Sequence, residues 1–121
     1  MKAVYAIKSS DGFFKLGIAA DVDGRLVALQ TGNPKELSIY VAIDVECDGL
    51  SPVEMERRIH GALSDYRVRG EWFLVSPALL CETMNRVWAE MRYPKVMARW
   101  YRRFGLYSIP QKLRRRREGK A

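Results

Sequence analysis

Long apolar runs, cysteine and acidic residues near the C-terminus are all scarce in this chain of 121 residues, and each scarcity narrows what it can be. No stretch approaches the roughly 20 apolar residues that a membrane-spanning helix needs. Lys2 is followed by five uncharged residues before Lys8, too short a run for a signal sequence. The chain therefore reads as soluble, unexported and cytoplasmic, with no membrane partner. Cysteine is limited to Cys47 and Cys81 and histidine to His60, so the roughly four clustered ligands of a structural zinc are missing. Two cysteines in an unexported chain read as free, buried thiols rather than a disulfide. There is no glycine-rich phosphate loop, no Cys-x-x-Cys pair and no Ser/His/Asp signal, which sets aside P-loop, Rossmann and thiol chemistries.

Acidic residues nearly vanish after Met91. Up to that point there are 10 Lys/Arg against 13 Asp/Glu, a net of −3; from Arg92 onward there are 11 against Glu118 alone, a net of +10. The overall charge of +7 thus belongs to the C-terminal quarter. Such an asymmetry points to a polyanion, with nucleic acid the first candidate and a merely solubilising tail the alternative.

The length allows one small domain with a single core. Lys2–Lys8 and Phe13–Ile18 are short β-type runs around the turn-forming Ser9-Ser10-Asp11-Gly12, a hairpin pattern. Gly17 inside the second run marks a bulge or a close backbone approach. Asp21 caps a helix carrying Val22, Leu26 and Leu29, which Gly32-Asn33-Pro34 stops. Leu37, Ile39, Val41, Ile43 and Val45 alternate with smaller or polar residues, predicting a strand with one buried face and an antiparallel sheet covered by helices on one side. Ser51-Pro52-Val53-Glu54 and Ser76-Pro77 each open a further helix. A last helix is expected over Pro94–Phe104, Leu106–Pro110 as a strap packed back on the body, and disorder in the final residues.

One dense stretch stands out. Between Glu56 and Phe73 lie Glu56, His60 and Glu71 together with Arg57, Arg58, Arg67 and Arg69. Glu56 and His60 are one helical turn apart, each one residue past the apolar stripe, which sets them at the margin of the buried face. A hard divalent metal needs one or two carboxylates when phosphate and water supply the rest, yet the same spacing commonly marks a surface pair. Glu71-Trp72-Phe73 after Gly70 reads as a short buried strand or turn, with Trp72 and Phe73 as packing, and Glu71 beside them needs a cationic partner, with Arg25, Arg67 and Arg69 the candidates. In the last helix Val96, Met97, Trp100, Tyr101 and Phe104 form a stripe opposite Lys95, Arg99, Arg102 and Arg103. The interleaving is compatible with single-strand binding, but the ring stripe itself reads first as core-facing. Arg114, Arg115, Arg116 and Arg117 are better suited to phosphate contact, without sequence specificity.

Several short segments then appear in a telling order: Val4-Tyr5-Ala6-Ile7, Phe14-Lys15-Leu16-Gly17-Ile18-Ala19, Gly24-Arg25-Leu26 with Leu29-Gln30-Thr31-Gly32-Asn33-Pro34, Glu56-x-x-x-His60, and Gly70-Glu71-Trp72-Phe73. Together they resemble the GIY-YIG nuclease superfamily, and within it the small phage and bacterial branch of the T5orf172 type, over roughly residues 3 to 80. The resemblance implies an α+β fold, with a three-stranded antiparallel sheet flanked by helices over residues 1–92 and a basic helical extension over residues 93–121. It also implies a DNA endonuclease that hydrolyses phosphodiesters with activated water and one Mg2+ or Mn2+ ion, in a bacterial cell and encoded by the cell, a phage or a prophage. Carried over by position, Tyr5 helps activate water, Arg25 holds the scissile phosphate and Glu56 binds the metal. Lys15 and His60 join the catalytic group, His60 as a proton shuttle, and Gly17 and Glu71 support it.

Two departures matter. The first motif is Val-Tyr-Ala rather than Gly-Ile-Tyr, and Lys15 stands where the superfamily has tyrosine, as is usual in the branch. Lysine can hold a phosphate but cannot both donate and accept a hydrogen bond as a phenol does. That change favours a second reading, a nucleic-acid-binding module that kept the fold and lost turnover. A third class is an interaction factor whose basic tail meets an acidic protein.

Overall fold

The computed structural model describes residues 2–105. The strap at Leu106–Pro110, the disordered terminus and the contacts expected of Arg114, Arg115, Arg116 and Arg117 lie outside the described residues. The elements are β1 (Ala3–Ser9), β2 (Phe13–Ala19), α1 (Val22–Gln30), β3 (Leu37–Ile43), α2 (Pro52–Ala62), β4 (Arg67–Arg69), β5 (Trp72–Leu74), α3 (Pro77–Arg92) and α4 (Pro94–Phe104), with 3₁₀ turns at Glu46–Asp48 and Ser64–Tyr66.

The sheet has five antiparallel strands in the order β3-β1-β2-β5-β4, not three. The two additional strands form a short hairpin turned by Gly70 at φ 55°, and β5 pairs with β2 through Phe13↔Leu74, Phe14↔Phe73 and Lys15↔Trp72. Each is three residues long: β5 takes the strand that Glu71-Trp72-Phe73 allowed, whereas Arg67–Arg69 is too short for alternation to announce one. The β1–β2 hairpin forms as predicted. The Ser9 hydroxyl donates to the Asp11 carboxylate and accepts from the Phe13 amide at 3.1 Å, while Gly12 takes φ 93°.

Helices cover both faces of this sheet, which corrects the expectation of one covered side. Val4, Ala6, Phe14, Leu16, Met55, Ile59, Leu63, Phe73, Leu80 and Met84 form the larger core, between the sheet and α2 and α3. Tyr5, Ile7, Ala19 and Leu37 form a second core on the opposite face, against Val22, Leu26 and Leu29 of α1. Successive residues of β1 therefore feed different cores, and Val4, Tyr5, Ala6 and Ile7 are all buried.

The strand β3 does not present one buried face. Its register against β1 jumps between Ile7↔Ile39 and Ala6↔Val41, leaving Tyr40 as a bulged residue. Leu37 and Ile39 pack in the α1 core, whereas Val41 and Ile43 pack in the α2/α3 core. Tyr40 sides with the latter, its ring meeting Phe14 edge-on at 5.1 Å.

The helix starts follow their caps. The Asp21, Ser51 and Ser76 side chains accept from the amides of Gly24, Glu54 and Leu79. The helix α2 ends at Ala62, and Tyr66 lies on the following 3₁₀ turn. Cys47 and Cys81 are free, as expected, but exposed rather than buried. Among the described residues no helix is long and apolar enough to cross a membrane.

Candidate nuclease-like site

The candidate site lies where β5 parts from β2. Their ladder covers Phe13 to Lys15, and the Leu16 amide makes one more bond to the Glu71 carbonyl at 3.1 Å. The Leu16 carbonyl, on the same edge, is taken by His60 Nε2 at 2.9 Å. A carbonyl oxygen only accepts, so Nε2 carries the hydrogen, and in the neutral ring the lone pair is on Nδ1. Phe73 meets the imidazole edge-on at 5.0 Å and fixes its plane. The margin position predicted for Glu56 and His60 holds, since both are half-buried.

From the opposite face Tyr5 reaches the same edge. It is fully buried in β1 and pairs with Gly17, and its ring lies across β2 at that residue. A Cβ at position 17 would lie 2.6 Å from the Tyr5 hydroxyl oxygen and 2.8 Å from Cζ, so only glycine admits the ring. Gly17 therefore marks a close approach, one of the two readings its sequence position allowed. The hydroxyl has no hydrogen-bond partner of acceptable geometry. Burial raises its pKa above the usual 10, opposed by the nearby Arg25 guanidinium and reinforced by Glu71 and Glu56. Tyr5 is thus a neutral phenol at physiological pH, and Arg25 stands beside it on exposed α1.

Glu56, His60 and Glu71 complete the cluster. Each offers a donor atom, and these atoms lie within 4.8 Å of one another. Desolvation raises the pKa of Glu56, and Glu71 adds to the rise, while His60 and Lys15 oppose it. Two carboxylates and an imidazole so placed are the donor chemistry of a divalent cation, and a backbone-anchored imidazole is common around such ions. The residues present fit a metal.

Lys15 is the cationic partner that Glu71 requires, in place of the predicted Arg25, Arg67 or Arg69. Its Nζ lies 2.9 Å from Glu71 Oε1, with 13% of the lysine side chain exposed. The pairing of Lys15 with Trp72 across β2 and β5 makes this possible, and Nζ also sits 5.9 Å from the Trp72 ring centre. Fifty-six residues separate Lys15 from Glu71, so spacing alone could not show it. The Leu16 carbonyl was equally invisible, because backbone groups carry no sequence signal. Trp72, read as packing, also borders Lys15.

Tyr5, Lys15, Gly17, Arg25, Glu56, His60 and Glu71 are therefore brought to one edge of the sheet. Arg99, Arg102 and Arg103 are exposed on α4, which packs on α3. The ring stripe of α4 is not core-facing: Tyr101 alone is buried, while Val96, Trp100 and Phe104 are 51%, 46% and 50% exposed.

The model of the T5orf172 domain family matches residues 2–88, and the chain belongs to that family, one of nuclease-like or nucleic-acid-binding modules. No curated protein and no solved structure matches the chain.

Proposed function

We propose that the protein is a divalent-metal-dependent DNA endonuclease of the GIY-YIG type, hydrolysing phosphodiesters with water. The observation that carries this reading is the convergence of Glu56, His60 and Glu71, within 4.8 Å, on the edge that Tyr5 reaches over Gly17. Family membership supports the same class.

Glu56, His60 and Glu71 would hold one Mg2+ or Mn2+ ion, which would supply Lewis-acid stabilisation of the charge that develops in phosphodiester hydrolysis. Arg25, exposed beside Tyr5, grips the phosphate with its planar fork and has no proton to lose. Tyr5, held neutral by burial, both donates and accepts a hydrogen bond and so orients the attacking water. With Nε2–H spent on Leu16, Nδ1 is the His60 atom left to take a proton or a cation. Lys15 neutralises Glu71 and keeps two carboxylates from facing each other unpaired.

The Lys15–Glu71 pair also favours the second reading, a binding module without turnover, because an ammonium already answers one carboxylate of the donor set. Purified wild type, Glu56→Ala and Arg25→Ala proteins incubated with single-stranded DNA, duplex DNA and RNA, with and without Mg2+ or Mn2+, separate the two. The endonuclease cuts DNA only with metal, loses activity with Glu56→Ala and is strongly impaired by Arg25→Ala. Binding without metal-dependent cleavage of any substrate would establish the second reading instead.

A further inference from the structure

On α4, beyond residue 88 where the family match ends, charge and rings are arranged in a way that the hydrolytic site does not use. Tyr101 anchors the helix to α3, buried beside Glu90 and Arg86, and burial together with Glu90 pushes its hydroxyl up to about 12. With that side fixed, Val96, Trp100 and Phe104 form an exposed row at successive turns. Trp100 and Phe104 are in contact, their ring centres 4.3 Å apart and their planes tilted by 45°. Arg99 and Arg103 lie one residue before Trp100 and Phe104, about 100° round the helix, and are exposed like the rings. The Arg103 guanidinium is 5.5 Å from the Phe104 ring centre, and at the start of α4 Arg92 stands 4.9 Å from the half-exposed Tyr93 ring.

We propose that this face of α4 binds single-stranded nucleic acid, unpaired bases stacking on Trp100 and Phe104 while Arg99 and Arg103 follow the phosphates. The inference rests on the nucleic-acid reading of the hydrolytic site and names the form of strand that the protein holds. Charge complementarity selects a polyanion, since the residues from Arg92 onward carry a net of +10 and the preceding ones −3. The rings select an unpaired strand: a duplex hides the faces of its bases, whereas every unpaired base offers one to stack. An anionic lipid surface is the competing occupant that an apolar row beside arginines would also suit, so vesicle binding is an arm of the test. A second copy fits less well, because three half-exposed side chains fall far short of the roughly 800 Å² per partner of a stable interface.

The test uses the full chain in EDTA, so that binding is read without cleavage, and compares labelled oligo(dT) with a duplex of equal length. The double variant Trp100→Ala/Phe104→Ala is expected to bind oligo(dT) about tenfold more weakly or worse, with duplex affinity held within about twofold. Swapping the rings, Trp100→Phe/Phe104→Trp, retains oligo(dT) affinity, which separates loss of stacking from loss of fold. Arg99→Ala/Arg103→Ala weakens both substrates and flattens the salt dependence by about two phosphate contacts. Equal loss on both substrates, or none, from the ring-to-alanine variant would overturn the proposal. So would ring-dependent binding to phosphatidylserine vesicles in place of oligo(dT), or a wild-type dimer that this variant dissolves. Oligo(dT) binding by the rings without cleavage in Mg2+ would leave this inference standing and remove the endonuclease reading; cleavage with ring-independent binding does the reverse.

Discussion

Tyr5 and Gly17 face each other across β1 and β2, and the phenol occupies the space that any side chain at position 17 would need. The arrangement carries a buried hydroxyl over a central strand to the edge where Glu56, His60 and Glu71 meet.

Gly17→Ala is expected to cost about 1–3 kcal/mol, the usual penalty for overpacking a filled core. The new methyl group meets the ring at both Cζ and the hydroxyl, so a rotation of the hydroxyl alone does not relieve it. Urea denaturation reads the loss, and cleavage falls with it because the ring is displaced. Wild-type stability in this variant would show that the ring can move aside freely.

Tyr5→Phe separates stability from activity. The buried hydroxyl makes no well-aligned hydrogen bond but has the Arg25 guanidinium beside it, so deleting it trades a desolvation cost against a weak charge-assisted contact and shifts stability by no more than about 1 kcal/mol. Loss of the water-orienting group lowers the cleavage rate by about a hundredfold or more. An equally active variant would take Tyr5 out of the chemistry.

Glu56 gives a pH dependence with a defined sign. Its folded pKa is raised above the ordinary 4.5, chiefly by desolvation. The folded state therefore holds the proton more tightly, and in the metal-free protein this contribution is present below pH 4.5 and is lost as pH rises through the raised value. Glu56→Gln removes the penalty, so its melting temperature without metal exceeds that of wild type at pH 7 and falls to or below it at pH 4. The same variant loses metal-dependent cleavage. A melting temperature lowered at pH 7 would contradict the assignment.

Lys15→Met tests the ion pair. Removing the ammonium leaves Glu71 and Glu56 as unneutralised neighbours, which lowers metal-free stability at pH 7 and raises affinity for Mn2+ about tenfold. Calorimetric titration with Mn2+ measures the second effect. Unchanged affinity would mean that Glu71 does not contribute to cation binding.

Much of the site was legible because its groups lie in short motifs whose order the fold preserves. Glu56 and His60 lie one turn apart at a helix margin, and Gly17 announced a close approach without naming Tyr5 as its cause. The capped helices were legible for a similar reason, since a cap is a contact between near neighbours. What stayed hidden depends on register between distant segments. Lys15 finds Glu71 only because β5 docks on β2, and two strands of three residues carry no periodicity. The alternation from Leu37 to Ile43 is the same whether or not Tyr40 bulges, so one buried face was the simplest expectation and the wrong one. The unbroken apolar run Val4–Ile7 was the available sign that both faces are covered.

That bulge makes β3 a seam. The strand leaves one core and enters the other within the step from Ile39 to Val41, so the small α1 core cannot open by itself without pulling on the ladder that also closes the larger one. The two halves of the protein are expected to melt as one cooperative unit, with the amides of Ile39 and Val41 sharing a single hydrogen-exchange protection. Tyr5 and Glu56 come from opposite faces of the sheet tied by one strand, so their alignment is expected to last as long as the fold itself.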